Sequence, residues 1–173
     1  MVAYGSGTTV ACGYALRHPE QVDALALMDF VWMVSQANQF PPGFKEMLLN
    51  QPNGYLKLSR LSDMFDALMR PFVDTEILTW VNATFTEAPV GPFLKVFNSL
   101  PFFKPADRIK ASVLIIRGSE AGITSEEDSF DFLSKTGGQI RALDVLEGAG
   151  PVPTLEKEQY RTVLKDIAWF LAR

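Results

Sequence analysis

Two short runs, Ala24-Leu25-Ala26-Leu27-Met28 and Val113-Leu114-Ile115-Ile116, are apolar at every position. A strand with one wet face alternates apolar and polar residues. An unbroken run of this length instead reads as a strand covered on both faces, as in a parallel sheet between helix layers. The surroundings agree. Val2-Ala3-Tyr4 is a short strand that meets Gly5-Ser6-Gly7 at once, and Thr8 to Arg17 is predicted helical. That helix stops at His18, because a residue before proline avoids the helical region. Ser112 to Arg117 ends in Gly118, and Thr124 to Asp128 opens a helix with capping and acidic first-turn residues. Gly137-Gly138 closes it, Gln139 to Leu146 makes another strand, and a last helix is expected over Leu155 to Leu171. The Glu156-Lys157-Glu158 run within it is expected to be a solvated face. Strands alternating with helices predict right-handed crossovers and the α/β class.

Residues 31–105 differ. They hold most of the aromatic residues and most of the prolines. Ile77, Val81, Thr84 and Phe85 recur at helical spacing, as do Leu58, Leu61, Phe65, Leu68 and Met69. Pro41-Pro42, Pro71, Pro89, Pro92 and Pro101 cut the stretch into short helices. The reading is a core formed by 1–30 and 106–173, with a helical lid inserted at 31–105.

Composition removes several functions. A net charge of -4 with no basic block lacks the electrostatic footprint of a nucleic-acid binder. One cysteine, Cys12, rules out a disulfide framework and a cysteine zinc site, and no metal or cofactor is expected. The longest apolar run, Ala24 to Val34, is broken by Asp29 and is shorter than the roughly 20 residues that span a bilayer. No charged segment followed by an apolar stretch marks the N-terminus, so a cytoplasmic protein is expected. The single histidine, His18, is the sharper constraint: every imidazole-dependent mechanism must run through it.

Tyr4-Gly5-Ser6-Gly7, the stretch Tyr14-Ala15-Leu16-Arg17-His18-Pro19-Glu20-Gln21-Val22 and Leu25-Ala26-Leu27-Met28-Asp29 together resemble the nucleophile-elbow half of an α/β-hydrolase. Val113-Leu114-Ile115-Ile116-Arg117-Gly118 resembles the strand before the family's acid, and Glu147-Gly148-Ala149-Gly150 the loop before its histidine. The likeness implies a partial parallel sheet of the α/β-hydrolase type, the elbow strand and those after it, with an inserted lid as in capped members. It also implies strands before the elbow that this sequence does not contain, so the chain is expected to be truncated. The family's chemistry needs a nucleophile on a sharp turn, a carboxylate and a histidine base. In the family's register these positions fall on Gly5, Ala121 and Pro151, none of which carries the required group. Ser6, Glu120 and Asp29 stand close in sequence to the vacated places, but no imidazole accompanies them.

The functional expectation is therefore a catalytically inactive relative that binds an apolar small molecule or a partner under the lid. Ser6, Trp32, Phe40, Trp80 and Phe97 are its candidate ligand-binding residues. A lyase-type enzyme that positions its substrate and a weak esterase using Ser6 are the alternatives. The first strand would leave a bare apolar edge, expected to be covered by a second copy or a complementary chain.

Overall fold

The computed structural model describes residues 1–30, 44–50, 53–57, 67, 69–84, 86–91, 106–121 and 125–173. Four strands, β1 (Val2–Tyr4), β2 (Ala24–Met28), β5 (Ser112–Gly118) and β6 (Arg141–Leu146), form one sheet in the order β1-β2-β5-β6. Every pair is parallel, with Ala3 opposite Leu27, Leu27 opposite Ile115 and Ile115 opposite Leu143.

The apolar runs are explained by what lies on each side. Leu25, Leu27, Val113 and Ile115 point to one face, where they meet Ala11, Cys12 and Ala15 of α1 (Ser6–Arg17) and Phe132 and Leu133 of a later helix, Glu126–Lys135. Ala26, Met28, Leu114 and Ile116 point to the other, against Val163 and Phe170 of the last helix, Tyr160–Leu171. Each fully buried Val, Leu, Ile or Phe among them contributes roughly 1.5–3 kcal/mol. Alternation disappears because neither face is wet.

Between β2 and β5 the chain forms α2 (Phe44–Leu49), β3 (Tyr55–Lys57), α3 (Thr75–Thr84) and β4 (Glu87–Pro89). Here the structure corrects the expectation of helices alone: β3 and β4 pair antiparallel, Tyr55 opposite Pro89 and Lys57 opposite Glu87. A two-stranded ribbon is all edge, so the missing N–H of Pro89 need not cost a ladder bond. The expected helix containing Ile77, Val81 and Thr84 is present as α3. The periodic stretch Leu58 to Phe65 lies outside the described residues.

The two closing helices, α4 (Glu126–Lys135) and α5 (Tyr160–Leu171), complete the layers. Ser125 caps α4, its hydroxyl accepting the Asp128 N–H at 2.9 Å. α5 begins at Tyr160 rather than Leu155, and this corrects a second expectation. Glu156 is 3% exposed, not solvated. Its backbone carbonyl accepts from Gln159 and Tyr160 N–H while its side chain turns inward, so the chain loops before the helix starts.

Across the β6–α5 contact two acids meet. Burial, a hydrogen bond with the Asp166 carboxyl and its charge push Asp144 up to about 6. The folded value lies above the ordinary one of about 4, so this contribution to stability is complete below pH 4 and is lost as pH rises through 6. Asp144→Asn should raise the urea midpoint at pH 8 and leave it unchanged at pH 4. Equal shifts at both values would contradict the shared-proton account.

Candidate binding site at the carboxyl ends of the sheet

In a parallel sheet the crevice outside the strands' carboxyl ends is where ligands are bound. Four segments converge there: Tyr4-Gly5, Asp29, Gly118 to Ala121, and Glu147 to Pro151. Gly5 joins β1 to α1 at φ 50 and ψ -126, a backbone region that side-chain-bearing residues rarely adopt. Its N–H donates to Met28 O at 3.0 Å, and its carbonyl accepts from both the Thr8 N–H and the Thr8 hydroxyl. Among the described residues a Cβ at this position would meet nothing within 4 Å, so the turn presents backbone alone there. Ser6 follows as the first residue of α1.

Asp29 follows β2 directly. It is 4% exposed, has φ 49, and donates its N–H to Ile116 O at 3.1 Å. The Tyr4 hydroxyl donates to Pro151 O at 3.1 Å, tying β1 to the loop after β6. Burial first, then the nearby Asp29 and Glu156 charges, hold that phenol protonated well above its usual range. Ala121 is buried with its N–H on Gly118 O, and Glu120, exposed, anchors the same turn through its N–H on Ala149 O.

The loop before α5 is organised by an acid that sequence reasoning placed in solvent. Glu156 Oε2 accepts the Gly150 N–H at 3.0 Å, and the Val152 N–H also bonds the carboxylate. Its Oε1 has no hydrogen-bond partner among the described residues. Burial pushes this carboxyl up while the two N–H groups oppose the shift. Nothing in the Leu155 to Glu158 pattern distinguishes Glu156 from the exposed Lys157 and Glu158 beside it. Only the return of the loop under Gly150 does so.

Phe72, from the segment between β2 and β5, lies against Gly150, where an added Cβ would collide with its ring. Thus that segment reaches the same end of the sheet. Trp80 is exposed on α3. Trp32, Phe40 and Phe97 lie outside the described residues. The histidine is elsewhere. His18 caps the far end of the 12-residue α1, about 20 Å along the axis from Gly5, with its ring on Tyr14 and Nδ1 3.9 Å from Glu20. The described residues hold no cluster of three or more His, Cys, Asp or Glu suited to a metal, and no helix long and apolar enough to cross a membrane.

No family model and no curated protein matches the sequence. Solved structures match over nearly the whole chain. A monoacylglycerol lipase from Paleococcus ferrophilus superimposes with a TM-score of 0.75 at 15% identity, covering 99% of this chain and 67% of its own. MGS-M2, an α/β-hydrolase enzyme from a deep-sea metagenome library, gives 0.60 at 16%, covering 99% and 64%. The 2-hydroxy-6-oxo-6-phenylhexa-2,4-dienoate hydrolase of Rhodococcus sp. strain RHA1 gives 0.63 at 18%, covering 99% and 63%. The chain thus has the α/β-hydrolase fold, and it spans about two thirds of the length of these structures.

Proposed function

We propose that this chain is an α/β-hydrolase-fold protein without triad hydrolysis, binding an apolar small molecule between the strand ends and the segment that follows β2. The observation that carries this reading is Gly5. It adopts the strained turn geometry, with no described residue against its Cβ side, where the resemblance mounts a nucleophile. Ala121 and Pro151 take the places of the acid and the base. Acyl transfer needs an attacking oxygen, a base to take its proton, and donors for the oxyanion. The N-terminus of α1 offers the donors alone. The Ser6 hydroxyl without an imidazole stays protonated and weakly nucleophilic.

The ligand-binding residues in this reading are Ser6, Trp32, Phe40, Trp80 and Phe97, four of them large apolar side chains of the kind that bind apolar ligands. The contact of Phe72 with Gly150 supports a segment that closes over the strand ends. Short-chain p-nitrophenyl esters test the reading: no burst and no rate change with Ser6→Ala are expected. A monoacylglycerol, the class named for the Paleococcus lipase, should raise the melting temperature without being consumed. At a hundred times its Kd a ligand adds about 2.7 kcal/mol, a shift of several degrees. A burst abolished by Ser6→Ala would overturn the proposal.

One observation favours a second reading, lyase-type or esterase-like turnover: Asp29 and Glu156 are buried carboxylates near the Tyr4 hydroxyl at the same strand ends. Substrate conversion that survives Ser6→Ala and disappears in Asp29→Asn identifies that case.

A further inference from the structure

Glu156 is 3% exposed, and one of its carboxyl oxygens is served while the other is not. Oε2 accepts the Gly150 N–H at 3.0 Å, and the Val152 N–H also bonds the carboxyl, which therefore holds the loop after β6 from within. Oε1 has no hydrogen-bond partner among the described residues, and it is buried, so solvent reaches it only if the loop moves. The two protonation states bear this differently. An ionised carboxylate puts part of its charge on Oε1, and a buried charge without a donor costs far more than a buried neutral hydroxyl. The neutral acid keeps its carbonyl oxygen on the two N–H groups and carries its proton at Oε1. Burial accordingly outweighs the two N–H groups and pushes this carboxyl up.

No charge on the surrounding elements outweighs burial. Tyr4 of β1 keeps its proton and donates it in a hydrogen bond to Pro151 O, and Asp29 after β2 is another buried acid. Arg117 of β5 reaches Glu126 of α4 at 3.9 Å, and Asp144 of β6 bonds Asp166 of α5. Arg70 and Asp74, which flank Phe72, are exposed, as are Glu120, Glu147, Lys157 and Glu158. The loop that Glu156 holds also meets the strand ends elsewhere. The Phe72 ring lies against Gly150, and the Glu120 N–H donates to Ala149 O.

We infer that Glu156 is a protonation-operated latch: neutral, it holds the segment from Glu147 to Val152 against the strand ends, and ionised, it lets that segment swing out from its contacts with Tyr4 and Phe72. Opening brings water to Oε1, which solvates the charge. An open, solvated carboxyl has its ordinary value of about 4.3, whereas the closed one lies higher. Below the ordinary value both forms are protonated and the latch is fully closed. As pH rises from there to the closed value, opening grows by about tenfold per pH unit, and above it levels off. The strand-end site is therefore tightest in acid and loosens toward neutrality. This inference does not depend on the ligand or on the absence of turnover.

Amide exchange from about pH 4 to 8, corrected for the intrinsic rate, tests the latch. Asp144→Asn in every sample removes the other acid that titrates in this range. Protection of the Gly150 and Val152 N–H groups should fall by about tenfold per pH unit before levelling off. At every pH it should also stay at least about tenfold below that of Ile115, a buried centre of the sheet that exchanges when the whole fold opens. Glu156→Gln keeps an oxygen for both N–H groups but has no proton to lose, so its profile should be flat. A pH-independent parent, a slope that survives in Glu156→Gln, or protection equal to that of Ile115 overturns the inference. If Glu156→Gln does not fold, the side-chain carboxyl carbon resonance of Glu156 decides. A midpoint above about 4.3 sustains the latch, and one at or below that value overturns it.

Discussion

Gly118→Ala is expected to lower stability by about 3 kcal/mol or more, and the melting temperature by roughly 6–12 °C. Gly118 is the last residue of β5, with ordinary backbone dihedrals, so a side chain is not excluded by its conformation. It is excluded by space. A Cβ there would overlap the carbonyl oxygens of both Ala149 and Gly150, which are backbone and have no rotamer through which to retreat. Relief requires the loop after β6 to lift. That strains three hydrogen bonds at once: Ser119 N–H to Leu146 O, Glu120 N–H to Ala149 O, and Gly150 N–H to Glu156. Urea unfolding measures the loss, and a change below about 1 kcal/mol would mean that the loop approaches β5 less closely than described.

Gly5→Ala separates the other cause. Its Cβ would meet none of the described residues, so the expected cost of about 1–3 kcal/mol comes from φ 50 and ψ -126. The same unfolding experiment reads it, and a neutral result would mean that the turn relaxes to ordinary dihedrals. Gly5→Ser carries the same strain and puts a hydroxyl where the resemblance expects a nucleophile. It should nevertheless leave p-nitrophenyl ester hydrolysis unchanged, because the one imidazole stands at the other end of α1. A burst in Gly5→Ser would show that Asp29 or Glu156 can serve as the base, and would move the proposed function to the second reading.

The two glycines also mark how much could be read in advance. The strand-to-helix turn at Gly5 was legible, since a short apolar strand, a Gly-Ser-Gly turn and a helix stop at His18-Pro19 are local signals that depend on a few neighbouring residues. The buried runs of β2 and β5 were legible for the same reason. The role of Gly118 was not, because its neighbours Ala149 and Gly150 come from a loop some 30 residues away in sequence. Glu156 is the plainest case. Its carboxylate opens a charged run with Lys157 and Glu158 and is turned inward by Gly150 and Val152 N–H groups that only loop closure supplies. The β3–β4 ribbon escaped notice because three-residue strands carry too few side chains to show a period of two.

By itself, then, the order of residues determined the α/β class, the strands that are buried on both faces, the glycine at the first turn and the isolation of the only histidine. These are consequences of side-chain type and short-range geometry. The convergence of Tyr4, Asp29 and Glu156 at one end of the sheet and the acid pair Asp144 and Asp166 were decided by the tertiary structure. Each of them depends on which distant segments the fold brings within a few ångströms.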